Sequence, residues 1–154
     1  MIVIRPMQTA DCVAVAALEK EIFSLPWSEQ GFLDAITEPR NIFLVAEDVG
    51  EICGYIGMYL SLDEGEITNV AVASTKRGAG IGEMLLKDAL KEAEMREVVQ
   101  VVLEVRVSNQ PAIHLYEKCG FMHCGIRKGF YDFPKEDAYI MMWRTKDAGE
   151  NDLL

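Results

Sequence analysis

The chain has 154 residues, 50% of them hydrophobic, and 25 Asp and Glu against 15 Lys and Arg give it a formal net charge of −10. That length suits one domain whose core needs neither disulfides nor a structural metal, and the acidity argues against a nucleic-acid partner, which calls for a basic patch, while suiting a cationic substrate as readily as plain solubility. Four cysteines (Cys12, Cys53, Cys119, Cys124) without a C-x-x-C pair, and two histidines, give no metal-site spacing. With neither a signal-peptide pattern nor a run near the ~18 apolar residues of a membrane span, the expectation is a metal-free, cytoplasmic protein with reduced thiols.

In chain order, residues 2–5 read as a short strand. Thr9 is placed to cap a helix to about residue 20, and Ser28 to cap another over 29–36, with Leu25-Pro26-Trp27 as the turn between them. Residues 41–48 and 52–62 form a hairpin closed at Val49, Gly50 and Glu51, and 66–73 is a third neighbouring strand. From 79 to about 96 the apolar residues Ile81, Leu85, Leu86, Ala89, Leu90 and Ala93 follow helical spacing. Then come a strand at 99–107, a short helix at 110–119, closing strands at 121–131 and 138–144, and a polar tail, 146–154, expected to fray. The expected fold class is mixed α/β: a mostly antiparallel sheet of about seven strands with helices on both faces, in one domain over 1–145.

Between the strand ITNVAVA and the long helix lies KRGAGIG, residues 76–82. It fails the dinucleotide pattern G-x-G-x-x-G, because the third glycine's place is taken by Glu83 counting from Gly78 and by Leu85 counting from Gly80. The P-loop pattern fails at Glu83 as well. What fits is R-x-x-G-x-G, Arg77 through Gly82, at the start of a helix whose free N–H groups and positive dipole end suit a compact anion such as a pyrophosphate. A glycine turn that only permits close helix packing is the alternative.

With that loop, the chain resembles the GCN5-related N-acetyltransferase (GNAT) superfamily, whose R/Q-x-x-G-x-G/A loop holds the pyrophosphate of acetyl-coenzyme A. Three further segments, FSLPWSEQGF at 23–32, LEVRVSNQPAIHLYEKCGF at 103–121 and RKGFYDFPKEDAYIMMW at 127–143, are similar to the RimI family of bacterial ribosomal-protein alanine N-acetyltransferases. The later segments are shared with archaeal and eukaryotic N-terminal acetyltransferases. Ala73-Ser74 departs from the Asp-Pro of many relatives. The resemblance implies a GNAT-type domain that transfers acetyl from acetyl-coenzyme A to the α-amino group of an N-terminal alanine on a small-ribosomal-subunit protein. Its rivals are an acetyltransferase of small amines and a non-catalytic acyl-coenzyme A-binding module. The resemblance also implies that Arg77, Gly78, Ala79, Gly80, Ile81, Gly82 and Glu83 hold the cofactor. Val70, Ala71 and Val72 would lend it backbone groups, and Asn109 would contact it.

Acyl transfer to an amine needs a neutral nucleophile, so an α-amino group of pKa about 7.7 to 8.0 must lose a proton. Period-2 alternation puts Val101, Leu103 and Val105 on one face of their strand and Gln100, Val102, Glu104 and Arg106 on the other. Glu104 so placed is either a partly desolvated base or half of a surface pair with Arg106, and the resemblance implies the base. Tyr116 shares the inward face of its helix with Ala112, Leu115 and Cys119. By itself it reads as a core tyrosine with a satisfied hydroxyl; the resemblance implies the general acid to the leaving sulfur. Asn109 also suits a helix cap. For the acceptor peptide, Trp27, Tyr131 and Asp137, with Asp132 and Glu136, are expected to receive a basic protein N-terminus, against the alternative of a core tryptophan and a polar hairpin. His114 and His123 read as packing or surface residues, and the eight methionines as core filler.

Overall fold

Alternating apolar runs pair into one sheet because each leaves a hydrophobic face that only a second layer can cover. The structure is a computed structural model describing residues 1–145, so the tail expected to fray lies outside the described residues. Its strands are β1 (Ile2–Pro6), β2 (Ile42–Asp48), β3 (Glu51–Ser61), β4 (Glu64–Val72), β5 (Gln100–Arg106), β6 (Met122–Tyr131) and β7 (Glu136–Arg144). The helices are α1 (Cys12–Ile22), α2 (Glu29–Thr37), α3 (Ile81–Met95) and α4 (Gln110–Lys118). The seven strands lie in the order β1-β2-β3-β4-β5-β7-β6. All neighbours are antiparallel except β4 and β5, which α3 joins as a crossover.

Two apolar layers cover the sheet. On one face Leu85, Leu86, Ala89 and Leu90 of α3 meet Val101, Leu103 and Val105 of β5, with Ile113 and Tyr116 of α4 at the margin. On the other face Cys12, Val15 and Leu18 of α1 and Phe32 of α2 pack over Phe43, Val45 and Tyr55. Truncating a fully buried leucine such as Leu85 to alanine costs about 2–5 kcal/mol.

The feature that makes a site possible is a failure of pairing. β4 and β5 are in register only at Glu64↔Gln100, Gly65↔Val101 and Glu66↔Val102. Just beyond, the β3–β4 register passes from Met58↔Ile67 to Gly57↔Asn69, leaving Thr68 as an extra residue. Such a bulge bends its strand. β4 turns away from β5, while β5 remains paired to β7 along its whole length, and a V-shaped gap opens between the carboxyl halves of the two parallel strands.

Several local expectations are corrected. Thr9 does not cap α1: a 3-10 turn, Thr9–Asp11, precedes the helix, and a Gln8/Asp11 capping box closes that turn. Asp11 can serve because Arg5 grips its carboxylate at 2.7 and 2.9 Å while the Gln8 N–H donates to it at 2.8 Å. α3 starts at Ile81 because Gly80 is left-handed (φ 77°) and cannot belong to the helix. β4 starts earlier than expected, at Glu64, because the chain reverses in a tight turn where Leu62 has φ 56°. Ser28 caps α2 as expected, its hydroxyl accepting from the Gly31 N–H at 3.1 Å.

Candidate active site

The gap between β4 and β5 is a cleft of about 500 Å³. Glu66 through Val70 line one wall and Leu103 through Arg106 the other; Tyr116 comes in from α4 and Asn109 from the cap before it, Trp27 from the α1–α2 connection, and Phe130, Tyr131 and Asp132 from the end of β6.

On β5 the expected alternation holds: Val101, Leu103 and Val105 are buried and Glu104 lies half-buried on the opposite face. Burial raises the Glu104 pKa, the negative charge of Glu66 raises it further, and Arg127 opposes both. The Arg127 guanidinium stands 3.7 Å away and is largely exposed, so its pull is screened. The pairing of Glu104 with Arg106 does not occur. Arg106 turns instead to Glu136 (3.2 Å) and the carbonyls of Pro134 (2.8 Å) and Asp132 (3.2 Å), and lies over the Tyr131 ring at 4.4 Å. Glu104 is left as a carboxylate of elevated basicity facing a cleft, the condition a proton acceptor needs.

Tyr116 is 7% exposed, with its ring 5.6 Å from that of Phe121. Burial, then the neighbouring Tyr131, pushes its phenol well above the usual tyrosine range, so it is protonated at neutral pH. Among the described residues no hydrogen bond engages its hydroxyl, and the residue lines the cleft. That geometry differs from a core tyrosine with its hydroxyl satisfied: the proton is held and available on the open side.

At the end of β4, the edge that faces the gap has no β5 partner, so alternate backbone groups along Val70, Ala71 and Val72 are presented to it. The loop that follows divides its glycines between two jobs. Gly78 (φ 84°) and Gly80 (φ 77°) are left-handed, and a Cβ on either would meet nothing within 4 Å, which leaves an open, bare cradle. A Cβ on Gly82 would sit 3.3 Å from Leu115 Cδ2, so the third glycine serves the packing of α3 against α4. The first in-helix bond of α3 runs from the Met84 N–H to the Gly80 carbonyl (3.1 Å), so the N–H groups of Ile81, Gly82 and Glu83 have no acceptor one turn earlier within the helix. This exposed start fits a pyrophosphate through backbone donors and dipole. The Arg77 Nε donates to the Val72 carbonyl at 3.3 Å, which sets its guanidinium beside the cradle. The Glu83 carboxylate is engaged by Lys87 (3.0 Å) and Lys118 (3.1 Å), leaving its backbone N–H as the group for an anion. Asn109 caps α4, accepting from the Ala112 N–H at 3.3 Å, and also lines the cleft.

Trp27, expected to meet the acceptor, is half-buried, packed against Phe32 (5.2 Å), Tyr59 (6.1 Å) and Phe43 (6.3 Å), with an edge in the cleft. Tyr131 lines the same space, its phenol pushed up to about 12 by burial first and Glu104 second. Of the expected acids only Asp132 does so. Asp137 accepts from the Gly129 N–H (2.8 Å), a donor left by the irregular β6–β7 register, and Glu136 accepts from the Ser108 N–H (2.7 Å), in the β5–α4 connection, and from Arg106. Two further cleft residues are marked by no motif. Glu66 sits on the alternation of β4, and Glu19 falls on the apolar stripe of α1, where a charge at a buried helical position was the available signal.

The acetyltransferase (GNAT) family model matches residues 12–121 of this chain. A Salmonella typhimurium protein named ribosomal protein bS18-alanine N-acetyltransferase is 37% identical over 138 residues, 88% of this chain and 92% of that one. A Mycobacterium tuberculosis protein named N-alpha-acetyltransferase RimI is 31% identical over 155 residues, 97% of this chain and 94% of its own. The crystal structure of the ribosomal-protein-S18-alanine N-acetyltransferase from Escherichia coli superimposes with a TM-score of 0.87 at 34% identity, covering 94% of each chain. The stretch matched by the family model holds the glycine cradle, Glu104 and Tyr116 together, and the chain belongs to the acetyltransferase (GNAT) family.

Proposed function

We propose that this chain transfers the acetyl group of acetyl-coenzyme A to the α-amino group of a protein N-terminus, with the N-terminal alanine of a small-ribosomal-subunit protein as its substrate in the cytoplasm. The observation that carries this reading is the cleft itself: the basic carboxylate of Glu104 and the free, protonated hydroxyl of Tyr116 border one gap, and the β4 strand that walls it runs on to Val72, whose carbonyl holds Arg77 of the glycine loop.

Bound acetyl-coenzyme A would supply an activated acyl thioester. Gly78, Ala79, Gly80, Ile81, Gly82 and Glu83 would hold its pyrophosphate through main-chain N–H groups, with Arg77 adding charge, while Val70, Ala71, Val72 and Asn109 would align the arm that enters the gap. A backbone N–H on the unpaired edge of β4 is suited to polarise the acyl carbonyl. Glu104, directly or through one water, accepts the proton that the substrate ammonium must lose before its nitrogen can attack. Tyr116 donates a proton where the departing sulfur gains charge. Trp27 and Tyr131 flank the approach of the peptide; Asp137 stiffens the hairpin that carries Tyr131. Glu66, Glu104 and Asp132 outnumber Arg106, itself neutralised by Glu136, so the cleft favours a cationic acceptor.

The test is a panel of acceptors: peptides varied at their first three residues, beside free polyamines and aminoglycosides. Higher kcat/KM on alanine-first peptides is expected. Faster turnover of the free amines would move the substrate class to small molecules, and binding of coenzyme A without any transfer would make the chain a binding module.

A further inference from the structure

We propose that Glu19 is the positioning residue of the acceptor cleft: its buried carboxylate ties the Trp27 turn to the bulged segment of β4 and thereby sets the mouth through which a peptide enters. This rests on the reading of the cleft as a peptide site.

Glu19 lies in the last turns of α1 and is 1% exposed. Its Oε2 accepts from the backbone N–H of Trp27 (2.8 Å), and its Oε1 accepts from the hydroxyl of Tyr55 on β3. The side-chain amide of Asn69 lies 3.4 Å from both oxygens. Asn69 is the residue directly after the bulged Thr68. One carboxylate therefore touches both the turn and the bend, and each of them lines the cleft.

The composition of this cluster is informative. All three donors are neutral, and among the described residues no cation stands within ion-pair reach of Glu19. A charge buried without a counter-ion is costly, and a leucine or methionine would fill the same volume at less expense in stability. What a carboxylate adds is two oxygens that accept from donors on three different elements at once. Pro26 has no N–H, so Trp27 offers the first backbone donor after Leu25. The Trp27 ring is fixed by Phe32, Phe43 and Tyr59, so the tether holds the backbone of a residue whose side chain is already seated.

The experiment compares Glu19→Met with Tyr55→Phe. Methionine keeps the volume and removes both acceptor oxygens, so the Trp27 N–H loses its partner. Tyr55→Phe disturbs the same buried cluster and leaves the tether intact. Hydrogen–deuterium exchange of residues 23–28 reads the tether without any substrate, and steady-state kinetics read its use. In Glu19→Met, exchange of that segment and the peptide KM should each rise roughly ten-fold or more, while kcat and the KM for acetyl-coenzyme A stay within about two-fold. In Tyr55→Phe both the exchange and the peptide KM should stay near wild type even as the melting temperature falls. If Glu19→Met does not fold, Glu19→Asp, which keeps the charge but withdraws it by one carbon, takes its place with the same expected order. Equal rises of peptide KM in both variants, or faster exchange with an unchanged peptide KM, would overturn the role of Glu19 alone. A wild-type protein that acetylates no N-terminal peptide would overturn the peptide reading and the role in selection with it, while exchange of residues 23–28 would still support or refute the tether by itself.

Discussion

The glycine cradle and the cleft between β4 and β5 are built on opposite principles. The cradle presents backbone with its side chains out of the way: Gly78 and Gly80 are left-handed over open space. The cleft presents side chains whose chemistry is changed by burial, Glu104 made more basic and Tyr116 held protonated. The first depends on what is absent from a few consecutive residues. The second depends on strands far apart in sequence failing to pair beyond Glu66.

The contrast is broken most severely at Glu104. Glu104→Gln keeps the shape of the cleft and removes the proton acceptor, so kcat/KM should fall roughly 10²- to 10⁴-fold with coenzyme A affinity unchanged; calorimetric titration beside the kinetics checks both halves. Gly80→Val should do the reverse, lowering coenzyme A affinity about ten-fold or more, since a β-branched residue at φ 77° is strained by about 1–2 kcal/mol and covers the open N–H groups. Gly82→Val gives the control: its side chain would drive into Leu115, so its first symptom in a thermal melt should be lost stability.

Tyr116→Phe comes next. With no hydrogen bond engaging the hydroxyl among the described residues, the melting temperature should hardly move, while kcat drops roughly ten- to hundred-fold, because a thiol of ordinary pKa near 8.5 can depart in part unaided. A melt that collapses together with activity would make the residue structural. The smallest effect is on pH dependence. Glu66 raises the Glu104 pKa and Arg127 lowers it, so the acidic limb of kcat/KM should move to lower pH in Glu66→Gln and to higher pH in Arg127→Gln. Shifts in the same direction would show that the limb reports a different group.

Local features were legible in the residues. The Ser28 and Asn109 caps, the 2-residue period that sets Glu104 opposite Val101, Leu103 and Val105, and the glycine spacing each depend on neighbours within a turn or a pleat. What was not legible depends on distant partners. Nothing near Arg106 tells that it will prefer Glu136, thirty positions on, to Glu104. Asp137 reads as a free acid until the β6–β7 hairpin supplies the Gly129 N–H that claims it. The Thr68 bulge exists only as a mismatch with β3, and Glu19 gains its partners from Tyr55 and Asn69 on two strands that follow much later in the chain. The division between cradle and cleft could be anticipated from the motifs, but the gap between β4 and β5 is a property of sheet register.

The most direct measurement is a crystal structure with a conjugate in which coenzyme A is joined through an acetyl bridge to the α-nitrogen of an alanine-first peptide. The expected result places the pyrophosphate within hydrogen-bond distance of N–H groups between Gly78 and Glu83, the nitrogen between β4 and β5 within reach of Glu104 directly or through one water, and the peptide leaving past Trp27 and Tyr131. A conjugate bound with its pyrophosphate away from that loop, or with its nitrogen beyond reach of both Glu104 and Tyr116, would contradict it.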